Sequence, residues 1–400
     1  MTQSSRVLLC TVLIVALACA AAPGARAQVT SIAQLLARAA QRWLPTYNPK
    51  SSWNFIHAQP AVQQVCRRSE TWPIPRADLP TVAQLPQLAQ CNAEALYYGF
   101  DGEPNYVRAR ECAYLERALG DRAPLSGSAV LAMIYANGLN VRRNVPLAIK
   151  FACEAGGAPA EIDGRIRHLL RLGTATRPPW PRFDFCDDVT SGFMAGVCAA
   201  AAEGILEARR KIHIERIASR YSREQKAAFL ALQYIARTYF NVQSHEEINF
   251  AGTAGRALVI SDLARHNRLL IQDVEALNAK RVPARTARAA RRAEVRLAAL
   301  YHRVLANPAL RPESPDPLLP GVPMSGMGTV SRQGLRVDQA LWLSYRDAWV
   351  HFAAAVQPAL TRSAVRTWIT RQRIEGLRCL LPYPPPACNT PVLSPSHLLR

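Results

Sequence analysis

The run Gln339-Ala-Leu-Trp342-Leu-Ser-Tyr345-Arg346-Asp347-Ala-Trp349-Val-His351-Phe352 decides the class of fold. It contains neither Gly nor Pro, and its aromatic residues follow one another at intervals of three, four and three. That spacing puts Trp342, Tyr345, Trp349 and Phe352 on one face of an α-helix. The face has two readings. It is a recognition surface, with Trp342, Tyr345, Arg346 and Asp347 as the binding residues, or it is the buried side of a packed helix. Burying such a ring is worth roughly 1.5–3 kcal/mol or more, which makes an exposed row costly. Burial is therefore the expectation for the rings, with Arg346 and Asp347 forming an ion pair to a neighbouring helix.

The segments on either side have the same period. Upstream, helices are predicted over Gly204–Arg220, from Ser222 to about Phe240, over Thr253–Leu277 and over Pro283–Ala306, the last with Pro283 just inside its start. Ser222-Arg-Glu-Gln225 has the pattern of a capping box. Downstream, Thr361–Leu381 is the partner of the aromatic helix, which itself spans Leu335–Ala355. Residues 307–330 are Pro-rich and predict a flexible loop, and 382–400, with Pro384-Pro-Pro386, predict a disordered tail. Val and Ile fall inside helical periods throughout, so the fold class is all-α.

Gln339-x-x-Trp342-Leu343-x-Tyr345-Arg346-Asp347-Ala348 resembles the signature of the LprI-like family of exported bacterial helical domains. Glu294, Leu297, Ala298 and Tyr301 occupy the places of that family's upstream motif, with Ala298 where the family has Asn and Val350 where it often has Cys. The resemblance implies a helical domain over 185–381 and, because some members are described as lysozyme inhibitors, inhibition of a wall hydrolase. Lysozymes are strongly basic, so inhibition would need an acidic patch on this basic chain; Glu203, Glu207, Asp187 and Asp188 are the candidates.

The N-terminal half contains a repeat. Ala95-Leu-Tyr-Tyr-Gly99 followed by Tyr106, Ala109 and Ala113 lines up with Ala132-Met-Ile-Tyr135-Ala-Asn-Gly138 followed by Val145, Ala148 and Ala152, at an offset of about 39 residues. The matched Ala residues let paired helices approach closely, and each Gly is placed to end its helix in the left-handed conformation. The second unit is similar to the SEL-one-like repeat, a tetratricopeptide relative, which implies a helical-hairpin module over 86–172 with a scaffold role. Residues 28–85 predict an irregular segment with one short helix, Ser31–Leu44, and Gly173–Asp184 predicts a linker.

Met1–Ala27 has the order of a secretory signal: Arg6, the apolar run Val7–Ala18, a Pro23-Gly24 break and an Ala25-Arg26-Ala27 cleavage site. A lipidated Cys19 is a minor alternative, because Ala16-Leu17-Ala18 is a poor lipobox. Cleavage leaves 47 Arg and Lys against 29 Asp and Glu, a charge of about +18, and eight cysteines. In an exported chain these predict disulfides rather than a metal site. Cys91–Cys112 bridges one predicted hairpin and Cys186–Cys198 is the next candidate by proximity; Cys379–Cys388, with Cys66 left to Cys153, completes only one of about 105 pairings that eight cysteines allow, so the full map stays open.

Export also redirects the positive charge from chromosomal DNA to protein partners and to anionic wall or membrane polymers of the envelope. Lys280, Arg281, Arg285, Arg288, Arg291, Arg292, Arg296 and Arg303 crowd a segment whose only acid is Glu294, and Arg285, Arg288, Arg292, Arg296 and Arg303 share a face. This is an anion-binding stripe or simply a solvated outer face; without interleaved aromatics it gives no support to nucleic-acid binding.

No G-x-S-x-G or H-E-x-x-H motif occurs, and Gly326-Met-Gly328 lacks the setting of a phosphate loop. No cofactor is implied. The expectation is a non-catalytic, periplasmic or secreted envelope protein. Two alternatives stay open: a polysaccharide-processing enzyme using Glu246 and Glu247, and a structural protein holding anionic surfaces.

Overall fold

The computed structural model describes residues 57–121, 123–174, 180–310, 328–381, 388 and 391–398. The signal, the Ser31–Leu44 helix candidate and residues 311–327 lie outside them. Twelve helices and no sheet are present among the described residues, so the chain is all-α. Among them no helix is long and apolar enough to cross a membrane. The helices fall into two compact units, the second beginning at Val189 and also taking Phe100–Gly102.

The first unit is built from α1 (Pro60–Ser69), α2 (Ala93–Tyr98), α3 (Tyr106–Ala118), α4 (Gly127–Asn137), α5 (Val145–Ala155) and α6 (Pro159–Thr174). From α2 to α6 each helix packs on its neighbour in sequence. The repeat is visible atom by atom. Asn105 and Asn144, 39 residues apart, each cap the following helix through the side-chain oxygen. The Asn105 N–H donates to Leu96 O, and the Asn144 N–H to Tyr135 O, both at 2.9 Å. Gly99 and Gly138 end α2 and α4 at φ 75° and 67°, a conformation that costs a residue with a side chain roughly 1–2 kcal/mol. Helix α4 is buried from Gly127 to Ala136 and forms the axis of the unit. Arg117 of α3 grips Glu154 of α5 with two hydrogen bonds of 2.5 and 2.9 Å.

The stretch expected to be irregular before residue 85 contains α1, with Pro60 in its first turn. Too short to show a period, α1 is held by tertiary contacts: the Cys66–Cys153 disulfide and Lys150 Nζ, which donates to the Ser69 and Glu70 carbonyls at 3.3 and 2.6 Å. Cys91 is bonded to Cys112 and Cys379 to Cys388; Cys186 and Cys198 are also disulfide-bonded.

The second unit comprises α7 (Gly192–Ala218), α8 (Arg223–Glu246), α9 (Gly255–Asn278), α10 (Ala287–Leu305), α11 (Arg332–Val356) and α12 (Arg362–Arg378). Helix α7 starts twelve residues before the predicted Gly204, because its first turns are Ala and Gly that pack closely without marking a period. The capping box at Ser222 has both of its hydrogen bonds, and α8 continues beyond Phe240 to Glu246. Helix α10 begins after Thr286, whose hydroxyl accepts the Ala289 N–H, so Pro283 lies outside it. Asn307, Leu310 and Val330 at the ends of the predicted loop are buried. Part of the predicted disordered tail is also ordered: Pro395–His397 forms a short 3-10 turn, and the Leu393 N–H donates to Ser261 Oγ on α9.

The core of this unit gathers around α11, which packs along α8, α9 and α12. Trp349 has no exposed surface and meets Trp368 with ring centroids 5.2 Å apart, while Phe352 stacks on Phe229 at 5.3 Å. Trp349→Ala should lower unfolding stability by about 3–5 kcal/mol in denaturant titration; a loss under 1 kcal/mol would contradict this placement of α11.

Candidate functional site

Three features of the second unit bring chemistry-bearing side chains together: the aromatic face of α11, a buried charged cluster at its start, and a cavity beside both. On α11, Trp342 and Tyr345 are buried at 2 % and 5 % exposure, and Arg346 at 9 %. The surface-recognition reading of that row therefore fails, and of its four residues only Asp347 is exposed. The packing energy of the rings decides this, with Tyr345 stacked on Tyr239 of α8 at 5.1 Å. Arg346 lies over the Trp342 ring and reaches Glu294 of α10 at 3.7 Å. Glu294 is held in turn by Arg366 of α12 at 2.7 Å. Asp347 contacts Arg346, its neighbour, at 3.2 Å; the pair that joins helices is Arg346 with Glu294.

One turn before Trp342, Asp338 points into the bundle with no exposed surface. Arg373 of α12, also without side-chain exposure, places Nη2 at 2.5 Å from Asp338 Oδ2 and Nη1 at 2.7 Å from Glu247 Oε1. Its Nε donates to Gln339 Oε1 at 3.1 Å and its Nη1 to Tyr239 OH at 3.3 Å. Burial, reinforced by the adjacent Glu247 carboxylate, pushes Asp338 up to about 9, and the Arg373 guanidinium offsets this only in part. Asp338 Oδ1 and Glu247 Oε1 have no well-directed hydrogen bond. A proton on Asp338 directed at Glu247 satisfies both oxygens.

Sequence reasoning singled out neither Asp338 nor Arg373, although a signal existed. Asp338 precedes Trp342 by four residues on the same apolar face, and Arg373 stands between Ile369 and Leu377 on α12 at the same spacing. A charge on a buried face must find a partner there.

A cavity of about 340 Å³ opens beside the cluster, among α8, α9, α11 and α12. Tyr239, Phe240, Trp342 and Tyr345 supply an aromatic wall, and α9 contributes Asp262, His266 and Asp273 from one face. Burial pushes Asp262 up, but the hydrogen bond and charge of His266 and the pairing with Arg265 outweigh it and hold the carboxyl well below the usual range. Asp273 is different. Its hydrogen bond among the described residues comes from Gln372 Nε2 at 2.9 Å, and burial pushes it up to about 6.

The remaining predicted residues lie elsewhere. Arg285, Arg288, Arg292, Arg296 and Arg303 are all exposed, and none forms an ion pair among the described residues. Glu247 belongs to the buried cluster, whereas Glu246 is the last residue of α8 and is pushed up by partial burial. The acids considered for a basic partner are engaged: Glu203 and Glu207 with Arg210, Asp188 with His168, and Asp187 with the Asp184 N–H. No group of three or more His, Cys, Asp and Glu among the described residues is placed to hold a metal ion.

The protonated Asp338 has a consequence for stability. Its carboxyl titrates near 4 when unfolded and near 9 when folded. Between those values the folded state holds the extra proton, so this group's contribution to stability falls as pH rises. Asp338→Asn keeps the hydrogen bonds without the charge. It should flatten the loss of Tm between pH 5 and 9 and raise Tm at pH 8; parallel melting curves for the two proteins would contradict the protonated assignment. Compared with known protein families, curated proteins and solved structures, the chain has no match.

Proposed function

We propose that this chain is an exported, non-catalytic protein of the bacterial envelope that holds an anionic wall or membrane polymer along the outer face of α10. One observation carries the reading. Arg285, just before that helix, and Arg288, Arg292, Arg296 and Arg303 on it are exposed without an ion-pair partner among the described residues, while the only acid of the helix, Glu294, is engaged by Arg346 and Arg366. From Arg288 to Arg303 the row covers roughly 22 Å at 1.5 Å per residue, a length suited to a polymer with repeating negative charge. The disulfides and the signal-like first 27 residues support an oxidising, exported location.

An anionic partner is favoured over a basic lysozyme because the acids that would meet lysozyme are already paired within this chain. It is favoured over polysaccharide-processing chemistry because Glu247 is committed to Arg373. Vesicles containing phosphatidylglycerol provide the test. The full chain should co-sediment with them at low salt and release as salt rises. Replacing Arg288, Arg292 and Arg296 together with Ser should weaken binding roughly a hundredfold, at about 1 kcal/mol per arginine. Undiminished binding by that variant, or none by the parent chain, would remove the proposal. A lysozyme turnover assay in parallel separates the inhibitory reading.

A further inference from the structure

The cavity of the second unit has a charge character opposite to that of the protein around it. Its cations are matched internally. Arg373 faces Glu247 and the protonated Asp338, and Arg265 and His266 share Asp262. Glu375, at the rim on α12, pairs with Arg378. That leaves Asp273, which no cation approaches among the described residues and whose hydrogen bond comes from the neutral amide of Gln372.

The acceptor this cavity offers to a bound molecule is therefore the Asp273 carboxylate. The remaining wall, Tyr239, Phe240, Trp342 and Tyr345, suits an apolar body and a neighbouring positive charge. A volume of about 340 Å³ is within the range of small-molecule sites.

We infer that this cavity binds a small primary ammonium compound with an apolar body, its ammonium group donating to the Asp273 carboxylate. This site is separate from the arginine row of α10 and would survive the loss of that reading.

Benzylammonium chloride is the probe, sodium benzoate its counterpart of similar shape and opposite charge, and titration calorimetry on the full chain the measurement. Benzylammonium should bind at pH 8 and benzoate should not. At pH 5, about one unit below the Asp273 pKa of about 6, benzylammonium binding should weaken roughly tenfold. The other charged groups that face the cavity, Arg265 and His266 with Asp262, Arg373 with Glu247 and Asp338, and Glu375 at the rim, are the same in the parent chain and in Asp273→Asn, so the difference between the two pH profiles reads Asp273. Asp273→Asn retains an acceptor for Gln372. It should lower affinity at pH 8 by about tenfold or more and remove most of the pH dependence. The Arg288, Arg292 and Arg296 to Ser variant should bind benzylammonium as the parent chain does. Equal binding of benzoate, no benzylammonium binding at about 10 mM, or unchanged affinity in Asp273→Asn would each overturn the assignment. The comparison of the two probes needs no variant, so it decides the matter even where Asp273→Asn fails to fold.

Discussion

Arg373 carries a guanidinium with no exposed side-chain surface into the middle of the second unit, and the surrounding helices are arranged to meet it. Taking such a group out of water costs several kcal/mol, so the folded state requires a partner in almost every direction its nitrogens point. Helix α8 brings Tyr239 and, at its end, Glu247; α11 brings Asp338 and Gln339. Each helix supplies its partners at one register only. Sliding α11 by one residue rotates Asp338 by about 100° and moves it 1.5 Å along the axis, leaving the guanidinium unpaired. The cluster therefore fixes the register of α8, α11 and α12. Net stability from it is modest, because part of its Coulombic gain is offset by desolvation and by the proton that Asp338 must carry.

A second clamp lies two turns along α11. Glu294 of α10 stands between Arg346 of α11 and Arg366 of α12, with Arg346 spread over the Trp342 ring. Between and beyond the two clamps the helix is apolar, with Tyr345, Trp349 and Phe352 buried against α8 and α12. This division of labour is physically reasonable: aromatic burial gives most of the favourable free energy but tolerates small shifts, and directional ion pairs remove that tolerance.

Much of the fold was legible because it rests on local rules. The α-helical period, the capping box at Ser222 and the repeat that sets left-handed glycines at 99 and 138 all have a signature a few residues long. Elements without such a signature were misplaced. Helix α1 has ten residues and depends on Cys153 and Lys150, more than eighty residues away in sequence. The start of α7 is hidden in Ala and Gly that pack without a period. The ordered end of the chain depends on Ser261, which nothing near residue 393 announces. The site followed the same rule. That α11 buries its aromatic face is a local inference; that Asp338 on this face meets Arg373, thirty-five residues further on, is not.

The charge of the protein is separated in space, and this separation says more than the net value does. The chain carries a formal +20, yet several of its carboxylates are turned inward. Glu154 is used by Arg117, Glu247 by Arg373, Asp262 by Arg265 and His266, and Glu294 by Arg346 and Arg366. Every acid spent on a buried or half-buried arginine is one that no longer screens an exposed one. The face of α10 is the clearest consequence, since a helix with one acid has that acid committed to its inner side. Solvation alone would be served equally well by interspersed acids, which also relieve repulsion between neighbouring arginines. A row of like charges four residues apart is locally unfavourable in the isolated protein, and the anionic partner proposed above would convert that repulsion into attraction.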